Sequence, residues 1–328
     1  DPAGTITYTY DARGNVTTIS DPVGTIRYQY DPLNRVTQYT DVYGDQIKYN
    51  YDANGNLTTL TYPDGKQVKY SYDPCNQLSS VTDWNNRTTA YSYDPNGRLS
   101  QTTRPDGSVE TRSYDPAGQL IKLKDTDKNG NTIVQYHYQY DQNGNISSEQ
   151  PDTMPQPLAP PDKTMTYGTD NRLLTCNGQN IEYDADGNLT RGPLQGQMQN
   201  FHYDCRNRLV SAGNTSYTYD AQNHRTAVNH NGETRYTISP GHLSQVLIRT
   251  APDGQKTYYI HGLGLIGQEN PDGSYQSYHY DYRGSTIAIT DQNGAITDHY
   301  QYAPYGELIH RQGTTDTPFL YNGRDGVM

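Results

Sequence analysis

Apolar residues fall at every second position in four successive stretches of the chain: Ile6/Tyr8/Tyr10, Ile26/Tyr28/Tyr30, Ile47/Tyr49/Tyr51 and Val68/Tyr70/Tyr72. The positions between them are polar: Thr7 and Thr9, Arg27 and Gln29, Lys48 and Asn50, Lys69 and Ser71. A period of two places the apolar set on one face of a strand, so each stretch predicts a strand with one buried and one wet face. Each then runs into Tyr-Asp-x-x-Gly/Asn, a polar residue and Leu, Val or Ile. In the segment that follows, apolar residues lie three apart, at Val16/Ile19, Leu57/Leu60 and Leu78/Val81. Neither a plain strand nor a short helix explains that spacing, whereas a β-bulge or entry into the next turn does.

The unit begins at Tyr10, Tyr30, Tyr51, Tyr72, Tyr93, Tyr114, Tyr140, Tyr183, Tyr203 and Tyr219, with a degenerate copy at Tyr167. From Tyr10 to Tyr114 the spacing is 20 once and then 21 four times; afterwards it varies between 16 and 27. A period near 21 suits two strands of about six residues and two turns. Pro-Asp-Gly at 63–65, 105–107, 252–254 and 271–273, and Asn-Gly at eight places, supply residues that tolerate positive φ. No twelve-residue window carries helical periodicity free of Gly or Pro. The expectation is an all-β protein: a long, curled antiparallel sheet of hairpins, forming a spiral shell or an open arc of one. With about 24 to 28 strands at ~4.8 Å each, the sheet is too long to stay flat.

The same pattern divides the chain. Residues 1–149 are regular repeats. Residues 150–163 hold five prolines and read as a loop insertion that cannot form a ladder strand. Residues 164–274 are irregular repeats, and 275–328 form a distinct C-terminal region.

Composition alone would mislead. Of 328 residues 32% are apolar and the mean hydropathy is −0.99, values usual for disorder. However, Tyr occurs 33 times against two Phe and one Trp, and Tyr supplies apolar area while its hydroxyl stays hydrogen-bonded. Of the 36 acidic residues six are Glu, which leaves 30 Asp, a turn former. The net charge of −11, with no basic run, argues against a nucleic-acid partner. No apolar stretch reaches the ~18 residues that would span a bilayer, and no signal peptide is recognisable. The opening Asp1-Pro2-Ala3-Gly4 already lies inside a repeat, so targeting information is expected elsewhere. Three cysteines (Cys75, Cys176, Cys205) are too few for a disulfide framework, and Cys75 and Cys205 both fall just after a repeat Asp.

Candidate chemistry is thin. Asp125-Thr126-Asp127-Lys128-Asn129-Gly130 copies half a calcium loop, but Tyr136 stands where a bidentate Glu belongs, so a polar turn is expected. The nine His residues (137, 202, 224, 230, 242, 261, 279, 299 and 310) lack metal-ligand spacing. Asp recurs at every turn, so no carboxylate pair stands out, and Ser285 has no nucleophile-elbow context. The Tyr stripe shares its face with Ile and Val and reads as core or lumen lining before a binding platform. No catalytic, cofactor-binding or metal residue is assigned, and the chain is not read as an enzyme.

The Tyr-Asp-x-x-Gly-Arg/Asn-Leu repeats resemble those of the RHS/YD-repeat proteins: bacterial rearrangement-hotspot toxins, the C component of insecticidal toxin complexes, and teneurins. Tyr278-His279-Tyr280-Asp281-Tyr282-Arg283-Gly284-Ser285-Thr286, Tyr302-Ala303-Pro304-Tyr305-Gly306-Glu307 and Tyr321-Asn322-Gly323-Arg324 resemble the start of the RHS-associated core. The resemblance implies a secreted structural β-shell that encapsulates a C-terminal toxin domain of the same polypeptide. Immunity proteins, secretion proteins and a carbohydrate are further partners it raises. The family's autoproteolytic junction is expected beyond Met328, outside this chain. The alternative is a cell-surface adhesion or carbohydrate-binding module.

Overall fold

The computed structural model describes residues 4–151, 162–194, 196–241, 244–303, 306–326 and 328. Most of the Pro-rich segment (152–161), His242, and Pro304 and Tyr305 lie outside the described residues. The rest is all-β, as the alternation predicts: 31 strands and one 3-10 turn, Gly323–Asp325. In every sheet the hydrogen-bonding order is the sequence order, running from Thr7–Tyr10 to Ile146–Pro151, from Met165–Tyr167 to Gln179–Asn180, and from Glu182–Tyr183 to Leu308–Gln312. The excess over 24 to 28 strands arises after residue 164, where repeats shorten and hairpins are made of strands as short as two residues.

Within the regular repeats, strands of six residues alternate with strands of five, for example Gln46–Tyr51 with Leu57–Thr61 and Gln67–Tyr72 with Leu78–Thr82. The three-residue apolar spacing is a bulge. Tyr10 pairs with Val16 while Thr9 pairs with Thr18, so Thr17 is unpaired. The same slip recurs at Tyr51/Leu57, Tyr72/Leu78, Tyr93/Leu99 and Tyr114/Leu120. An extra residue turns Val16 back to the face of Ile19, which is why positions three apart share the core.

One sequence expectation needs correction. Pro151 does join a ladder, opposite Tyr136, and Gln150 pairs with His137. Ile146–Pro151 ends its sheet, and an edge strand's outer side needs no donor from proline.

The chain resolves into two compact units. The first comprises 1–46, 160–239 and 248–256; the second comprises 47–159, 240–247 and 257–328. In the first, Ile19, Ile26 and Tyr39 are buried, as are Ala221, Ala227 and Tyr236, and Tyr28 Oη donates to Gln222 Oε1 at 2.6 Å. In the second, Ile47, Val68, Val81, Leu123, Tyr259, Tyr278, Ile289 and Tyr300 are at most 1% exposed. There the buried hydroxyl of Tyr62 donates to the carbonyl of Tyr259 at 2.6 Å, tying a repeat turn to strand Lys256–Gly262. Tyr62 therefore serves as core while its hydroxyl is satisfied by backbone.

Candidate functional site

The repeat motif is explained residue by residue by the first hairpin turn. Asp11 N donates to Asn15 O and Gly14 N to Asp11 O, closing a type I turn in which Gly14 takes φ 86°. Asp11 Oδ1 accepts the backbone N–H groups of Arg13 and Asn15, and Oδ2 accepts Asn15 Nδ2, at 2.8, 2.9 and 2.9 Å. When Arg replaces that Asn the pair becomes ionic, as in Arg98 on Asp94 and Arg208 on Asp204. These side-chain donors hold the carboxyls of Asp11, Asp52 and Asp94 below the usual carboxylate range. The same arginines stack on the Tyr of the next repeat, Arg98 over Tyr114 at 4.5 Å and Arg208 over Tyr219 at 5.2 Å.

Most repeat tyrosines then reach back. The hydroxyl donates to the carbonyl of the residue that opens the preceding bulge: Tyr30 to Val16, Tyr72 to Leu57, Tyr93 to Leu78 and Tyr114 to Leu99, at 2.8 to 3.0 Å. The ladder continues through Tyr183, Tyr219, Tyr280 and Tyr302. Asp, Asn/Arg, Leu and Tyr of these repeats thus close each hairpin turn and join one hairpin to the next.

One cluster stands apart. In the second unit Arg104 Nη1 meets Asp125 Oδ1 at 2.7 Å, and Nη2 meets Glu110 Oε2 at 2.9 Å. Arg112 Nε pairs with Glu110 Oε1 at 2.6 Å. His279 Nδ1 lies 3.1 Å from Asp125 Oδ2, and its Nε2 lies 3.0 Å from Thr290 Oγ1. Thr290 donates to Asp106, whose Oδ1 also accepts Ser108 N and Oγ. Because the Thr290 proton goes to Asp106, Nε2 of His279 takes the donor role towards Thr290. Burial opposes ionisation of Asp125, but the charges of Arg104 and His279 outweigh it and lower its pKa. The Asp–His–Thr order is that of a triad. Yet Asp125, His279 and Thr290 are fully buried, and the hydroxyl points at a carboxylate instead of a cleft. The cluster is an ionic lock joining repeats 99–126 to strands Tyr275–Tyr280 and Thr286–Asp291.

A second clamp in the same unit surrounds Glu269. It accepts Trp84 Nε1 at 3.0 and 3.1 Å and Asn85 Nδ2 at 2.7 Å, and it pairs with Arg87, whose guanidinium lies 4.2 Å over the Tyr275 ring.

The half calcium loop is dispersed: Asp125 belongs to the lock, and Asp127 Oδ1 closes a turn through Asn129 N and Asn131 N. Among the described residues no group of three His, Cys, Asp or Glu could hold a metal. Buried His261 places Nε2 2.8 Å from Val246 O, and burial lowers its pKa to about 4. Ser285 is buried and accepts the Asn322 N–H at 3.2 Å. Cys75 and Cys205 are exposed and Cys176 is buried; none of the three is in a disulfide. The lock escaped the sequence reading, although a signal existed. Aligned on Tyr72 and Tyr114, Glu110 and Arg112 occupy the inward positions of Val68 and Tyr70.

Comparison with known proteins agrees with this geometry. The RHS repeat matches residues 1–26, 10–46, 51–88 and 76–109, and the teneurin YD-shell matches residues 106–324. The chain is 27% identical over 165 residues to the tRNA3(Ser)-specific nuclease WapA of Bacillus spizizenii and 29% identical to the tRNA nuclease WapA of Bacillus subtilis strain 168. Each match covers 47% of this chain but only 7% of the relative. Crystal structures of TcdB2-TccC3 and of TcdB2-TccC3-Cdc42 share the fold, with TM-scores of 0.69 and 0.67 and 14% identity. They cover 98% and 97% of this chain, which spans 23% and 22% of theirs. With RHS repeats matched in its first third and the YD-shell matched over 106–324, the chain belongs to the RHS/YD-repeat family, RHS repeats leading into a teneurin-type YD-shell.

Proposed function

We propose that this chain is a segment of a structural wall that encloses a toxic domain carried further along the same polypeptide, in a protein exported from the cell. The observation that carries the reading is the YD-shell match over 106–324, taken with a fold in which the repeated polar groups serve the wall itself. The matched tRNA nucleases named WapA support a toxin as cargo, since this chain spans a small part of such a protein. Enclosure requires only a stable barrier, so no residue of this segment is given a catalytic role. The adhesive alternative needs an open Tyr face. Tyr49, Tyr62, Tyr91, Tyr259, Tyr278 and Tyr300 are buried, which favours the wall.

The test uses the natural reading frame containing this chain, extended past Met328 and expressed as one polypeptide. Intact mass and limited proteolysis should show a C-terminal piece that remains associated and protease-resistant. An extension equally sensitive with or without the repeats would sink the proposal.

A further inference from the structure

After its last strand, Leu308–Gln312, the chain crosses back over strands Tyr275–Tyr280 and Thr286–Asp291 as a strap, residues 313–326, that is irregular over 313–320 and ends in the 3-10 turn Gly323–Asp325. The strap makes no ladder. It is held by side chains spaced two apart. Thr315 N and Oγ donate to Asp298, and Gln276 Nε2 donates to Thr315 Oγ1 at 2.7 Å. Thr317 Oγ1 lies 2.6 Å from Tyr278 Oη, whose own proton goes to Gln268 Oε1, so Thr317 is the donor. Phe319 is fully buried, edge-on to Tyr259 with ring centroids 4.8 Å apart.

The Arg-Gly-Ser-Thr turn grips the far end. Thr286 N donates to Leu320 O at 2.9 Å, and Thr286 Oγ1 to Phe319 O at 2.8 Å. Ser285 Oγ accepts Asn322 N, and Gly284 O accepts Arg324 N at 3.0 Å. Gly264 and Gly284, both at positive φ, leave room for Arg324: a Cβ at Gly264 would stand 2.4 Å from Arg324 Cγ. Alternate polar anchors, one aromatic plug and a backbone-reading turn are the parts of a peptide-recognition groove.

We propose that Gln276, Tyr278, Asp298, Tyr259 and the 284–286 turn form a peptide-binding groove for an extended Thr-x-Thr-x-Phe segment, occupied in cis by residues 315–324 and open to the same segment of a second copy once the cis strap is displaced. The inference is independent of whether the protein encloses a cargo. Held by side-chain anchors, single backbone bonds to the 284–286 turn and one plug, without ladder pairing, the strap is a separable ligand and not a strand of the sheet.

The experiment uses the full chain with Phe319→Ala and a fluorescein-labelled peptide of residues 313–326. The variant is expected to keep the wild-type far-UV circular dichroism and to be cut by trypsin after Arg311 at least ten-fold faster. It should bind the peptide saturably, as read by anisotropy, while the wild-type chain does not. A peptide carrying Phe319→Ala should bind at least ten-fold more weakly. A folded variant whose strap stays protected, or one that binds no peptide, overturns the proposal. If Phe319→Ala unfolds the chain, Thr315→Ala/Thr317→Ala takes its place, and failure of that chain to bind the peptide overturns it equally.

Discussion

Tyr93 Oη donates to the carbonyl of Leu78, 2.8 Å away and fifteen positions earlier. Leu78 opens the bulge of the preceding repeat, so this bond ties consecutive hairpins at the one place where the ladder is interrupted. Tyr93→Phe keeps the ring and leaves that carbonyl without its donor, for an expected loss of about 1 kcal/mol. Tyr10→Phe, on a ring 60% exposed, should stay within about 0.5 kcal/mol. Urea unfolding measures both, and equal losses would show that the hydroxyl ladder contributes nothing specific.

Asp41 breaks the turn rule. Its partner four residues on is Asp45, where other turns carry a donor such as Asn15 or Arg87. Burial, and then the charge of Asp45, push the Asp41 carboxyl up to about 6. A carboxyl raised in the folded state contributes stability below its ordinary pKa of 3.8 and loses it as pH rises through about 6. Asp45→Asn supplies a donor to Asp41 and can still accept Thr237 Oγ1, which bonds Asp45 at 2.7 Å. It should stabilise the protein by about 1 kcal/mol at pH 7 to 8, with the gain fading below about pH 5. A thermal-melt series against pH checks this; a gain independent of pH would refute the assignment.

The opposite sign holds at six other turns. Asp11, Asp52, Asp94, Asp127, Asp141 and Asp184 are lowered, chiefly by the side chain four residues on. Their contribution is present above 3.8 and lost as pH falls through the lower folded values. Acid unfolding should therefore set in below about pH 4. Asn56→Ala, which removes the donor to Asp52, should shift its midpoint upward. An unchanged midpoint would count against turn carboxylates as the acid-sensitive element.

Arg104 satisfies two buried carboxylates at once. Arg104→Ala leaves Asp125 and Glu110 short of a partner and should cost about 3–5 kcal/mol, whereas Arg27→Ala, on an exposed strand face, should cost under about 0.5 kcal/mol. Chemical denaturation separates the two. A loss near 1 kcal/mol for Arg104 would mean that water reaches the cluster.

Strands, turns and bulges were legible because they are short-range. Alternation around Tyr49 and Tyr70, the Asp-x-x-Gly turn and the slip at Val16/Ile19 depend on residues within one hairpin. The lock was not legible. Arg104, Asp125 and His279 lie up to 175 positions apart in the sequence, and His279 looks like any polar residue flanked by tyrosines. Ser285 and Thr286 were equally mute, since their partners lie beyond residue 318.

The sequence by itself determined an all-β chain of Tyr-Asp hairpins, because propensity, positive-φ turns and side-chain period act over a few residues. Only the tertiary structure decided that Glu110 and Arg112 could replace Val and Tyr facing inward, since the buried chain of charges from Arg112 through Glu110 and Arg104 to Asp125 is completed by His279, which the fold brings from far along the sequence. It likewise decided that Phe319 would end buried against Tyr259, because where a strap settles depends on which surface, far away in sequence, offers room and hydrogen bonds.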